Sequence, residues 1–387
     1  MIVRTVQMGV AMDLATALIS GRRGRRFLLH VLLAGESEQI WKLRQVVFDA
    51  AYRVAKRRGD GIARFGSSAE DEAWVSAEQP PSELQPENIA ALVGQVELPK
   101  LTSHILREAL DESVGNAMYW QPPDGEDTLF SDPILTKALE PAARHVSDSG
   151  IVQEWMNRSA VENQWLIEWR GEGAEHTWHP GLVSAAEQFS QWNHDLNEAE
   201  VRSQEDLRGP VKNAVSGEWW SNPPGGLFRS FGTFDDQAPV GLYCVEDGFG
   251  WREAAVQRVE PMLVKPVFHI EAPEDWVDLC LRYPAEVSAS RRGTWFETTG
   301  RDGRWVQPDW QAVAEDYDGV HLSLTAYLAA AGELLEVSDE AASLIAGWNP
   351  DETYWFTDDV KRHGDFQTWK LEDSGSCDRW VKSSASE

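Results

Sequence analysis

Cysteine is scarce: 387 residues hold only three, Cys244, Cys280 and Cys377, far apart and odd in number. That excludes a disulfide framework, and without a CxxC or a Cys/His cluster of ligand spacing no metal site is expected. Long apolar runs are missing too. The longest, Phe27 to Gly35, is nine residues with His30 inside it, well short of a membrane span. Glycine-rich phosphate loops and acyl-transfer elbows are absent, since no GxGxxG, GxxxxGK[ST] or GxSxG occurs. No fixed-period repeat is present. Positive charge is short: 35 Lys and Arg face 63 Asp and Glu, a net charge of −28. Residues 1–60 carry 11 basic and 5 acidic side chains, so the remainder sits at −34. Such a body is repelled by nucleic-acid phosphates and anionic membranes, so nucleic acid is not an expected partner except through mimicry of its charge. A small molecule or a protein is the expected partner.

Tryptophan is abundant, with 19 residues. Trp165 and Trp169 alternate with apolar neighbours in "VENQWLIEW" and read as strand core. Trp120, Trp219, Trp220, Trp305 and Trp310 lie beside proline or glycine. There the flat indole face could stack a ring, a sugar or a peptide, and the Trp219–Trp220 pair before "SNPPGG" is the strongest case.

The expected fold class is α+β: a helical N-terminal half, a Trp-rich antiparallel strand region and a compact C-terminal α+β module. The expected divisions are 1–62, 63–215, 216–262, 263–372 and a tail, 373–387. "GRRGRRFLL" resembles a twin-arginine export signal at Arg25 and Arg26. The short apolar run and poor cleavage site favour instead a buried N-terminal strand, or an upstream extension of the reading frame, and a cytoplasmic location. Ser37 caps a helix ending in Lys56, Arg57 and Arg58 before Gly59. Further helices are expected at about 102–118, 133–146 and 183–207. "APVGLYCVEDGFGW" and "AAVQRV" read as an antiparallel pair joined by "EDGFG". Beyond Lys265 the pattern predicts strand "KPVFHI", a helix with Pro273 in its first turn, strand "AEVSAS", helix "PDWQAVAEDY", strand "GVHLSL", helix "SDEAASLIAGW" and strand "ETYWF".

The segments "GEWWSNPPGG", "PVGLYCVEDGFGW", "RYPAEVSASRRGTWFETTGRDGRWVQPDW", "YDGVHLSLTAYL" and "GWNPDETYWF" resemble a family of Trp-rich proteins from high-GC bacteria, over about residues 119–356. No activity comes with that resemblance. The order of Arg, Ser-x-Thr on a strand, and Glu at a late strand is also similar to the plan of ADP-ribosyltransferases. That resemblance implies NAD as a substrate. Arg291 or Arg292 would pair with its phosphates, with Arg282 a third choice. Ser323 and Thr325 would steady the ribose, Glu352 would stabilise the oxocarbenium ion, and Tyr327 or Trp355 would stack the nicotinamide. His321 would be a polar neighbour of Ser323 in the catalytic set Glu352, Ser323 and His321. The pattern departs from the family in having "SLT" for "STS" and no Glu-x-Glu. His321-x-Ser323 is also similar to one motif of two-histidine phosphoesterases, with His145–Ser147 the only second copy. No cofactor is otherwise indicated. "HTWH", His176 and His179, lacks a third ligand at recognisable spacing. "GRDGRW" reads as a turn or an anion nest. The reading from a different class is a non-catalytic, acidic, Trp-rich interaction platform.

Overall fold

The structure, a computed structural model, describes residues 13–59, 81–156, 161–171, 183–214, 217–373 and 378–383. The fold is α+β, with a helical N-terminal region and two mixed sheets. His176 and His179 fall outside the described residues, as does Cys377.

The strands run in chain order as β1 (Gln164–Arg170), β2 (Phe228–Phe231), β3 (Glu253–Pro261), β4 (Val267–Ile270), β5 (Pro284–Glu286) and β6 (Arg304–Pro308). They continue as β7 (Gly319–Leu322), β8 (Leu335–Glu336), β9 (Ala341–Ser343), β10 (Glu352–Trp355), β11 (Val360–Asp373) and β12 (Asp378–Lys382). The large sheet has the order β12-β11-β3-β1-β2-β10-β7-β4, antiparallel throughout except for the parallel edge pair β7–β4. The small sheet is β5-β6-β9-β8. The large sheet draws strands from 164–170, 228–261 and 267–382, so it runs across the divisions expected at 215/216 and 262/263.

Local signals account for several elements. The helix Glu38–Arg58 begins where Ser37 Oγ accepts the Ile40 N–H and stops at Gly59, whose φ of 96° suits glycine. The helix Pro273–Arg282 opens with its proline where no N–H is needed. The expected helix over 133–146 is two, Pro133–Ala138 and Glu140–Ser147, because Pro141 cannot donate within a continuous helix.

Other expectations are corrected. Residues 22–32 form a helix rather than a strand. Phe27, Leu28, Leu29, Val31 and Leu32 are buried in the main core. The arginines before them turn inward as well. Arg23 pairs with Asp127 and donates to the Ser113 carbonyl at 2.6 Å, Arg25 reaches Glu333 at 3.2 Å, and Arg26 reaches Asp124 at 2.8 Å. Long side chains paired with carboxylates on one side and leucines on the other suit a buried helix better than a strand edge. Gly21 lets this segment approach the helix Leu324–Ala330, since a Cβ there would stand 2.2 Å from the Leu328 carbonyl oxygen.

The expected hairpin over 238–259 does not form. Val240–Leu242 is a 3-10 turn, and β3 pairs instead with β1 and β11. "AEVSAS" contributes only β5 before the helix Ser288–Thr299 begins. "SDEAASLIAGW" holds β9, not a helix: every residue from Ala341 to Ala346 is buried, and sheet pairing with β6 and β8 overrides the helical propensity of its alanines. The expected tail carries β12, which extends the large sheet through β11.

The outer face of β1, β2 and β3 carries a second, smaller cluster: Ile167, Phe231, Leu242, Ala254, Val256 and Trp380. Trp165, Trp169 and Trp369 pack against it. Four tryptophans thus stand on this sheet face, while Trp155, Trp276, Trp295, Trp305, Trp310 and Trp348 lie in the main core.

Candidate functional site

The two stretches singled out for chemistry, "YDGVHLSLTAYL" and "WNPDETYWF", are register partners. Across β10 and β7, Glu352 lies opposite Leu322 and Thr353 opposite His321. Because side chains alternate, this register sends His321 and Glu352 to opposite faces of the sheet. Ser323 is not on the strand. It caps the helix Leu324–Ala330, its Oγ accepting the Ala326 N–H at 3.1 Å. Thr325 donates to Met156 Sδ at 3.1 Å, and Trp355 Nε1 donates to Ser230 Oγ at 2.8 Å in the interior. Arg291 is buried against Glu218 at 2.5 Å, and Arg292 grips Asp302 through two bonds of 2.8 and 2.9 Å. Arg282 bonds Asp278 at 2.8 Å and the Tyr317 hydroxyl at 3.1 Å. The arginines of "GRDGRW" are engaged too, Arg301 with the Arg304 and Glu340 carbonyls and Arg304 with Glu286. His145 bonds the Pro99 carbonyl at its helix end. Of the residues expected to handle NAD, only Glu352 lines the cleft described next.

A cleft of about 380 Å³ opens on the outer face of the large sheet. Period-two alternation puts Ile167 and Trp169 of β1, Arg229 and Phe231 of β2, and Glu352 of β10 on one face. Three loops close over them: Trp219–Trp220, Glu246 to Trp251, and Gly347 to Asn349. Trp169 and Trp251 stack at 4.8 Å with rings 12° apart, Phe249 leans on Trp251 at 5.3 Å, and Trp219 meets Trp220 edge-on at 6.1 Å. Phe249 is 80% exposed and Trp220 38%, so aromatic surface faces solvent at the rim. Gly347 holds φ at 74°, and a Cβ there would stand 2.6 Å from Trp220 Cβ. Only glycine lets the two loops meet.

Beneath the aromatics lies a continuous polar floor. Arg229 donates to Glu352 Oε1 at 3.4 Å, while the N–H and Nδ2 of Asn349 donate to its Oε2 at 3.2 and 3.1 Å. Asn349 Oδ1 accepts the Glu246 N–H at 2.8 Å, and Glu246 Oε2 accepts the N–H groups of Gly347 and Trp348 at 2.8 and 3.1 Å. The turn 347–349 thus offers three consecutive N–H groups to two carboxylates. Glu246 Oε1 closes no hydrogen bond; the Tyr327 hydroxyl interacts with this carboxyl electrostatically without reaching ordinary bonding geometry. Burial pushes the Glu246 carboxyl up to about 8, against the pull of those donors. Burial also raises Glu352, and Arg229 beside it works in the opposite direction.

With its carboxyl raised to about 8, Glu246 holds its proton at neutral pH, and Arg229 stands beside Glu352. Among the described residues, none that lines the cleft carries a thiol, a hydroxyl or an imidazole. Glu352 has no exposed surface and its oxygens are already bonded.

Trp219 and Trp220 were legible as a stacking pair. Arg229 and Asn349 were not, and Glu246 and Asp247 were hidden because "EDGFG" has the composition of a simple hairpin connection. A group able to hold a metal, His269, Glu271 and His321, lies on the sheet's other face, from strands half a hundred residues apart in sequence. No family model, curated protein or solved structure matches the chain. No helix among the described residues is long and apolar enough to cross a membrane.

Proposed function

We propose that this protein is a recognition module for a neutral, hydroxyl-rich ring, a saccharide or glycoside, bound in the Trp-lined cleft. The observation that supports it is one concave site with aromatic faces at its rim and wall and an Arg–Glu–Asn–Glu hydrogen-bonding floor. Sugar rings present an apolar face of C–H groups and a polar edge of hydroxyls, which this pairing complements. The volume suits roughly one or two rings, at the small end of ligand sites.

Charge argues for neutrality. The cleft carries Asp247 and Glu352 against Arg229, and the protein as a whole is at −28, so the diphosphate of a dinucleotide is disfavoured. ADP-ribosyl transfer is the second reading, favoured by Glu352 and an arginine sharing an aromatic cleft. It would place nicotinamide riboside there, with Arg229 rather than Arg291 or Arg292 as the partnering cation.

Tryptophan fluorescence titration with a panel of neutral mono- and oligosaccharides tests the proposal, with NAD and choline as comparators. A saccharide should quench or shift the emission. Phe249→Ala and Trp220→Ala should each weaken it by about 1 kcal/mol, roughly fivefold. No response to any saccharide at tens of millimolar, or a response confined to NAD or choline, rejects this reading.

A further inference from the structure

We infer that His269, Glu271 and His321 form a three-ligand zinc site at the β4–β7 edge of the large sheet. One potential ligand atom from each lies within 4.8 Å of the other two. The parallel register places His269 directly beside His321, so both imidazoles project from the same face, with ring centroids 5.8 Å apart. Glu271 follows His269 by two residues and returns to that face just past the strand.

The second observation is the state of His321. It is 4% exposed, and its Nε2 lies 3.2 Å from Asp351 Oδ1. Its Nδ1 is buried with no hydrogen-bond partner. A neutral imidazole that donates Nε2–H to a carboxylate presents a lone pair at Nδ1, and a buried lone pair left unmatched is unfavourable. Metal-ligating histidines are held in this way by a carboxylate behind the ring. Asp351 is itself fixed, since its Oδ2 accepts the Gly232 N–H at 3.0 Å.

Two imidazoles and a carboxylate suit zinc, and three protein ligands leave a fourth position for water or an external ligand. Zinc needs its donors about 3.4 Å apart, and here they lie within 4.8 Å of one another. His269 and Glu271 are exposed and can close the gap by changing rotamer, while the buried His321 serves as the anchor. The site lies at an edge strand, where solvent and ion can enter.

The full chain, stripped of metal, is titrated with zinc against a chromophoric chelator. One equivalent should bind with micromolar or tighter affinity. His269→Ala and Glu271→Gln, both at exposed positions, should each weaken it at least tenfold while circular dichroism stays unchanged. Asp351→Asn tests the positioning role. An amide facing Nε2 favours the tautomer with the proton on Nδ1, so affinity should fall ten- to a hundredfold. Substituting His176 and His179 together should leave this equivalent in place. No bound equivalent, retention of full affinity in both His269→Ala and Glu271→Gln, or loss only when His176 and His179 are replaced, overturns the assignment.

Discussion

Glu246→Gln isolates the electrostatic burden of the cleft floor. The substitution keeps the shape and leaves a carbonyl oxygen to accept the Gly347 and Trp348 N–H groups, now 2.8 and 3.1 Å from Oε2. Its amide takes the place of the carboxyl oxygen that closes no bond. The difference is that glutamine does not titrate. In the folded protein the carboxyl is raised from 4.5 to about 8 by burial. Below pH 4.5 both folded and unfolded chains hold the proton and the group contributes no pH dependence. Between 4.5 and 8 the unfolded chain releases it while the folded chain retains it, so stability falls by about 1.4 kcal/mol per pH unit. Above 8 the folded carboxyl ionises too, and the loss levels off at on the order of 4 to 5 kcal/mol. Glu126, Asp127 and Glu352 are raised by burial as well, so the wild-type curve alone does not isolate Glu246. The difference between variant and wild type does. Urea denaturation at pH 5, 6, 7 and 8 should show the Glu246→Gln advantage growing by about 4 kcal/mol across that range. A difference that changes by less than about 1 kcal/mol would refute the claim that this carboxyl is buried with its proton.

Arg229→Met should destabilise the protein by about 3–5 kcal/mol in urea denaturation at neutral pH, because it leaves the fully buried Glu352 without its cation. The deficit should shrink on acidification, as Glu352 takes up a proton. Gly347→Ala forces a left-handed residue and a methyl group into Trp220. It should lower stability by about 1–3 kcal/mol and shift tryptophan emission, and unchanged melting and emission would count against the close loop contact. The responses expected of Phe249→Ala and Trp220→Ala to saccharide, and of His269→Ala and Glu271→Gln to zinc, complete the set.

What the sequence disclosed were features whose cause is local. Ser37 and Gly59 bracket a helix because capping acts within one turn, and Pro273 marks a helix start for the same reason. "KPVFHI" and "ETYWF" are strands because β-branched and aromatic residues cluster there. Misreadings arose where distant partners decided the outcome. Arg22 to Leu32 is helical with its arginines inside because Ser113, Asp124, Asp127 and Glu333 come to meet them, and no local pattern announces that. Ala341 to Ser343 reads as helix until β6 and β8 claim it. The cleft was hidden for the same reason: its floor takes one residue each from β2, β10 and two loops. Glu352 alone was recognised, by its place at the entrance to a strand.

The two binding proposals meet on one strand without sharing a side chain. β10 is paired on both sides, by β2 and β7, and all four of its residues are buried. Slipping it by one residue would exchange its faces, so the register is held on both flanks. Glu352 is thereby committed to the cleft. Asp351, just before the strand, bonds His321 on the opposite face. Two adjacent acidic residues serve two separate places because Glu352 opens the strand while Asp351 sits in the turn before it, with φ at 58°, and reaches His321. A perturbation of one should therefore leave the other nearly unchanged. Glu352→Gln should alter saccharide binding and spare zinc, and Asp351→Asn should do the reverse, each read by its own titration.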